Sequence, residues 1–210
     1  MKKRGRRSRA PWLALAAAII GLFGAAQVSE RDLLRVGRAA WDVVQSLQEP
    51  QRRSGGGPAP AKGQPFSGHP RVIDGDTFEL NGIRVRMQGI DALEHDQQCS
   101  RTGAGRSACG TEARDELAAL IGGSEVTCTP DGTLTHGRTV AVCTVPEPGG
   151  GVRDLNEAMV RLGLAFDCPR YSKGRYAAAE AEAKAAKAGA WAGRFTYPWS
   201  HRDRAGACGR

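Results

Sequence analysis

The chain has 210 residues and a formal net charge of +8. That length allows one ordinary domain with appendages. A basic balance points to a nucleic-acid partner only where the charge lies on the folded part, and here it does not. Residues 1–9 hold six Lys/Arg and no acid, residues 30–70 hold six against four, and residues 71–210 hold eighteen of each sign. Any phosphate site in the last part must come from local placement of arginine and metal.

The basic stretch 1–9 precedes an uncharged stretch, 10–28. Such a stretch is long enough to cross a bilayer as a helix. Two readings fit: a transmembrane anchor, or a signal h-region with Gly24-Ala25-Ala26 as its cleavage site. Either exports the C-terminal part of the chain, because the positive cluster stays cytoplasmic. The expected location is the bacterial cell envelope, as a single-pass inner-membrane anchor with a periplasmic or extracellular domain, or as a protein secreted after cleavage. Residues 29–70 read as a short amphipathic helix followed by a Gly/Pro-rich linker. A folded domain is expected over 71–195 and a C-terminal tail over 196–210.

Within that domain, Val72-Ile73 opens a strand that Asp74-Gly75 turns and Thr77–Leu80 resumes. Asn81-Gly82 is the strongest short hairpin signal in the chain. The next run, Ile83 to Gln88, alternates strictly. Ile83, Val85 and Met87 point to the core, and Arg84, Arg86 and Gln88 point away from it. Asp91 to Gly110 is polar and reads as a loop. Glu112 to Ile121 reads as a helix ended by Gly122-Gly123. Strands are expected at Glu125–Thr129 and Arg138–Val145, with a connection between them too long for a tight turn. Asp154 to Glu157 forms a capping box that opens another helix. Tyr176 to Ala188 is rich in Ala, Glu and Lys and reads as a third. Trp191 is expected to pack back on the domain. The order is not the alternation of a doubly wound sheet, so an α+β barrel with packed helices fits better.

The six cysteines are Cys99, Cys109, Cys128, Cys143, Cys168 and Cys208. No CxxC and no paired His accompanies them, which disfavours zinc. An even count downstream of an export segment favours disulfides. Many pairings are possible. In one set, Cys99–Cys109 closes the loop after Glu94, Cys128–Cys143 ties two neighbouring strands, and Cys168–Cys208 pins the tail.

Asp76, Asp91 and Glu94 can supply hard oxygen ligands and a proton acceptor, and Arg84 and Arg86 can supply planar phosphate donors. The motifs IDGDT, VRxxGIDAxE, Gly137-Arg138, LNEAMVRLGLA and YAAAEAEAKAAKAGAW stand in that order over residues 71–191. In order and spacing they resemble the thermonuclease (staphylococcal-nuclease-like) family, in its exported bacterial subgroup. The resemblance implies a five-stranded OB-fold barrel with about three helices. It implies that Asp76, Asp91 and the carbonyl of Ala92 hold Ca2+, and that Glu94 orients or deprotonates the attacking water. Arg86 and Arg138 would bind the phosphate, and Tyr171 would contact the nucleotide. The motif does not require Arg84, which reads as a solvated strand residue, and Asp74 reads as structural. His95 and His136 lack a partner His and read as surface residues.

Two departures stand out. The family's proline before the glutamate is Leu93 here, which implies a looser loop around Glu94 and lower activity. The acidic and aromatic residues expected before Gly-Arg are replaced by Leu134-Thr135-His136, which puts substrate contacts there in question. The expected activity is a calcium-dependent endonuclease, active as a monomer on single-stranded DNA and RNA and on duplex DNA, with low sequence specificity. The alternative is a catalytically weak module that binds nucleic acid or protein at the cell envelope. No residue pattern points to sugar chemistry.

Overall fold

The structure is a computed structural model, and it describes residues 59–101, 103 and 105–209. The basic stretch, the hydrophobic span, the amphipathic helix and most of the linker lie outside the described residues. Among the described residues no helix is long and apolar enough to cross a membrane.

The strands β1 (Phe66–Gly68) and β2 (Arg71–Val72) end the main sheet on opposite sides. β1 falls within the stretch read as linker, where it pairs with a later strand, Phe66 opposite Cys128. β3 (Thr77–Leu80) and β4 (Ile83–Met87) form the hairpin expected from Asn81-Gly82. Those two residues have φ of 52° and 79°, the left-handed pair that such a two-residue turn requires. The arginine alternation also holds, with Val85 and Met87 buried and Arg84 exposed.

The polar stretch after Asp91 is not simply a loop. It contains β5 (Ile90–Ala92), β6 (Cys99–Arg101) and β7 (Gly105–Ser107). Helix α1 (Cys109–Ile121) starts three residues before its expected beginning, directly at a disulfide cysteine, and ends at left-handed Gly122. β8 (Val126–Thr135) and β9 (Arg138–Pro146) correct a second expectation. They are joined by a tight two-residue turn, because His136 and Gly137 both take positive φ. The surplus residues are absorbed by an irregularity between Pro130 and Leu134.

After β10 (Val152–Asp154) comes α2 (Leu155–Arg161), capped as expected by Asp154 accepting the Glu157 N–H. β11 (Ala165–Asp167), α3 (Pro169–Ser172), α4 (Ala177–Ala185), a 3-10 turn at Gly189–Ala192, β12 (Gly193–Arg194) and α5 (Pro198–His201) complete the chain.

The main sheet runs β1-β8-β9-β4-β3-β2, with β10 also on β9. Its β4–β9 pairing is parallel, with Arg86 opposite Val140. The expected five-stranded barrel is not seen as a closed sheet. Among the described residues seven strands form one open sheet, β5 pairs with β11, and β6 joins β7 and β12. Gly89 supplies part of the reason. At φ 74° it turns the chain out of β4, and a Cβ there would lie 2.9 Å from Ser172. The strand after it, β5, therefore takes a different partner. The mixed α+β content stands, with five α-helices among the described residues rather than about three. The two extra ones, α3 and α5, are four-residue turns that each begin with proline.

The core lies between the sheet and α1, α2 and α4. It includes Phe78, Leu80, Val85, Met87, Leu117, Leu155, Met159 and Phe166. Asn156 is buried at the start of α2. Its side chain accepts the Cys143 N–H at 3.1 Å and donates to the Gln88 carbonyl at 2.9 Å. One amide thus pins α2 to β9 and to the end of β4. Residues 196–209 belong to this packed unit too, because Trp199 is buried in its core. The disulfides are Cys99–Cys109, Cys128–Cys143 and Cys168–Cys208.

Candidate active site

Asp76 is placed by its own turn. The Asp74 carboxylate accepts the Asp76 N–H at 3.0 Å, which gives Asp74 its structural role. Gly75 is needed between them, since a Cβ there would lie 2.8 Å from both Ala92 and Ala113. Asp76 Oδ1 accepts from the Thr77 hydroxyl at 3.0 Å, and its Oδ2 accepts the Ala92 N–H at 2.8 Å. The second contact ties the turn to β5.

Arg86 sits on β4 opposite Thr77. Its Nη1 donates to Asp76 Oδ1 and its Nη2 to Asp91 Oδ1. One planar fork thus joins two buried carboxylates, a use to which lysine is poorly suited. Asp91 is held at the centre of β5, paired with Phe166 of β11.

Glu94 lies in a turn closed by the Gln97 N–H donating to the Glu94 carbonyl at 2.8 Å. Gly110 of α1 packs against that same carbonyl so closely that a Cβ would lie 1.6 Å from its oxygen. Leu93, which stands where the family has proline, ties this loop to the neighbouring chain. Its side chain is buried, and its N–H, which proline lacks, donates to the Leu164 carbonyl at 3.1 Å.

Arg138 arrives at the head of β9. Its bonds among the described residues are long, to the Thr77 hydroxyl at 3.3 Å and to the Thr135 carbonyl at 3.4 Å. Thr77 thereby links it to Asp76. The structure therefore brings Asp76, Arg86, Asp91, Glu94 and Arg138 together, joined by polar contacts. Ala92 is present through its N–H. Tyr171 lies apart from this network. It is 58% exposed on α3, and its carbonyl accepts from Gln88, which comes after β4 on the Arg86 face. His95, His136 and Arg84 are exposed, as expected for surface residues.

Three contributors were not legible as site residues. Thr77 couples Asp76 to Arg138. Gln97 is buried and accepts the Glu94 N–H at 3.1 Å. Arg202, from the stretch read as a tail, donates through Nη1 to Glu94 Oε1 and through Nη2 to Asp91 Oδ2, the latter at 2.5 Å. A signal for Arg202 existed. A Cys168–Cys208 pairing returns the tail to the end of β11, and β11 runs beside Asp91.

The electrostatics reflect burial opposed by pairing. Burial pushes the Asp76 carboxyl up to about 8, against the pull of Arg86. Burial also raises Glu94, and Arg202 counteracts this. Burial disfavours charged Arg86, but Asp76 and Asp91 outweigh it and the guanidinium moves up. Burial and the neighbouring charge of Arg86 lower Arg138.

Among the described residues no group of three or more His, Cys, Asp or Glu is gathered as a metal site. The donor set nevertheless fits a hard divalent cation. Asp76 and Asp91 are buried carboxylates that converge on a single guanidinium, with no sulfur or imidazole between them.

The family described as staphylococcal nuclease homologue matches this chain over residues 84–193. The chain is 35% identical over 129 residues to the succinoglycan biosynthesis protein ExoI of Rhizobium meliloti (strain 1021). That likeness covers 61% of this chain and 65% of the relative, slightly under two thirds of its length. It is also 33% identical over 144 residues to the micrococcal nuclease of Shigella flexneri, covering 63% of this chain and 77% of that protein.

Proposed function

Because the chain belongs to the staphylococcal nuclease family of phosphodiester hydrolases, we propose that it is a calcium-dependent endonuclease acting on DNA and RNA with low sequence specificity. The observation that carries this reading is the buried Asp76–Arg86–Asp91 array with partly exposed Glu94 beside it. Calcium, when bound to Asp76, Asp91 and the Ala92 carbonyl, would supply positive charge against the phosphorus oxygens.

The side chains divide the remaining work. Glu94 accepts the proton of the water that attacks phosphorus. Arg138, whose present bonds are long, donates to the phosphoryl oxygens as charge develops on them. Arg86 holds the two aspartates at a fixed separation, and with a cation bound to those carboxylates its fork would be available to donate to phosphate. Each of these groups addresses phosphate and none reads a base edge, which supports low sequence specificity. Tyr171, exposed and reached along the Arg86 face through Gln88, offers a ring for an unpaired base.

We place the protein in the bacterial cell envelope, acting as a monomer on single-stranded nucleic acid and frayed duplex. The three disulfides support an oxidising compartment.

The test uses the full-length chain on single-stranded DNA and RNA, with calcium, with EDTA, and as Glu94→Gln. Cleavage that needs calcium and is lost in Glu94→Gln is expected. Cleavage indifferent to both would remove the mechanism. Absence of cleavage with retained nucleic-acid binding would favour a binding module.

A further inference from the structure

The segment 196–202 lies beyond the residues matched by the family, 84–193, yet it meets the loop Glu94–Gln97 at three places. Gln97 Nε2 donates to the Thr196 carbonyl. His201 Nε2 lies 3.1 Å from Asp96 Oδ1. Arg202 reaches Glu94 and Asp91 through its two terminal nitrogens. The same buried Gln97 holds the Glu94 N–H.

The segment is anchored from behind. Tyr197 stacks on Trp199, with centroids 4.5 Å apart and planes 11° apart. Both rings meet Phe166 edge-on. Phe166 is the residue paired with Asp91 between β11 and β5. Cys208 is bonded to Cys168, one residue past the end of β11. Phe166, on which the anchor rests, and Asp91 therefore belong to the same two-stranded sheet.

We propose that Arg202 is a positioning residue of the nuclease site: the disulfide-anchored segment 196–202 clamps the loop Glu94–Gln97, and Arg202 fixes the Glu94 carboxylate against Asp91. The inference rests on the nuclease reading only for what Glu94 then does. A guanidinium suits this task because its planar fork spans two carboxylates at once, whereas an ammonium is a point charge. Its side chain is 29% exposed, so the pairing is only partly screened by salt.

The test compares the full-length protein with Arg202→Ala and Arg202→Lys. Amide hydrogen exchange at Glu94, Gln97 and Gly110 should quicken about tenfold in Arg202→Ala, with β8 and β9 unchanged. With calcium and single-stranded DNA, kcat should fall about 10- to 100-fold. KM should stay within about twofold, and Arg202→Lys should recover part of kcat. Arg202→Gln, which keeps most of the side chain without its charge, answers the same question if Arg202→Ala unfolds. Unchanged exchange and kcat would overturn the proposal. So would a raised KM with kcat intact, which would make Arg202 a substrate contact. An inactive wild-type chain whose loop still loosens in Arg202→Ala would sink the nuclease reading and leave the clamp standing.

Discussion

The main-chain N–H of Leu93 donates to the carbonyl of Leu164 at 3.1 Å. This bond crosses from the end of β5 to the residue before β11, next to Glu94. It predicts that restoring the family's proline will harm this protein. Leu93→Pro removes the donor, leaves the Leu164 carbonyl unpaired and empties a fully buried leucine site. The expected loss is at least about 2 kcal/mol of stability. A urea titration measures it, and a variant as stable as the wild type would show that the bond contributes nothing.

Gly110 is the second point at which the Glu94 loop is fixed. A Cβ there would lie 1.6 Å from the Glu94 carbonyl oxygen and 3.0 Å from the His95 carbonyl carbon. Backbone atoms cannot move aside as a flexible side chain can, so α1 or the loop must shift. Gly110→Ala is expected to cost activity by about 100-fold, since misplacement of about 1 Å at a reacting group has that scale. Initial rates beside a circular-dichroism melt separate loss of activity from loss of fold. A fully active Gly110→Ala would mean that the position of the Glu94 backbone is unimportant.

These contacts mark the limit of what the sequence could disclose. The Asn81-Gly82 hairpin, the arginine face of β4 and the capped start of α2 were legible because each is set by neighbours in the chain. Asp76, Asp91, Glu94 and Arg86 were legible because the motifs sit within a short span. The open sheet was not, because β5 finds β11 about seventy-five residues later and leaves no local pattern in doing so. The tight β8–β9 turn was hidden by an irregularity that lengthens the apparent loop. Arg202 was hidden for the same reason as β5. Its partners lie 108 and 111 residues away and depend on the fold and a disulfide to meet it.

Asp76 and Asp91 predict a calcium effect that needs no substrate. Burial disfavours the charged form of Asp76, and a cation bound there would offset that. A cation bound by the folded state alone stabilises it, by about 2.7 kcal/mol at a hundredfold excess over Kd. Calcium should therefore raise Tm, and EDTA should return it to the calcium-free value. In Asp76→Asn the shift should shrink or vanish. An equal calcium shift in wild type and variant would place the ion elsewhere.

Tyr176 gives a prediction about pH and stability away from the site. Its ring is buried, and its hydroxyl meets no hydrogen-bond partner among the described residues. Burial raises its ionisation above the ordinary phenol value, with Asp154 adding to the shift and Arg175 opposing it. The folded protein therefore keeps this proton at a pH where the unfolded chain has lost it. The contribution is complete below the unfolded value of about 10 and is lost as pH rises beyond it. Tyr176→Phe removes the ionising group and an unpaired buried oxygen, and keeps a ring beneath the Arg175 guanidinium, now 5.5 Å from the centroid. The variant should be as stable as the wild type at neutral pH or about 1 kcal/mol more stable. Its stability should also fall less steeply above pH of about 10. Urea titrations at neutral and alkaline pH check both halves. A variant clearly weaker at neutral pH would mean that the hydroxyl has a partner, such as a bound water, whose bond outweighs its burial.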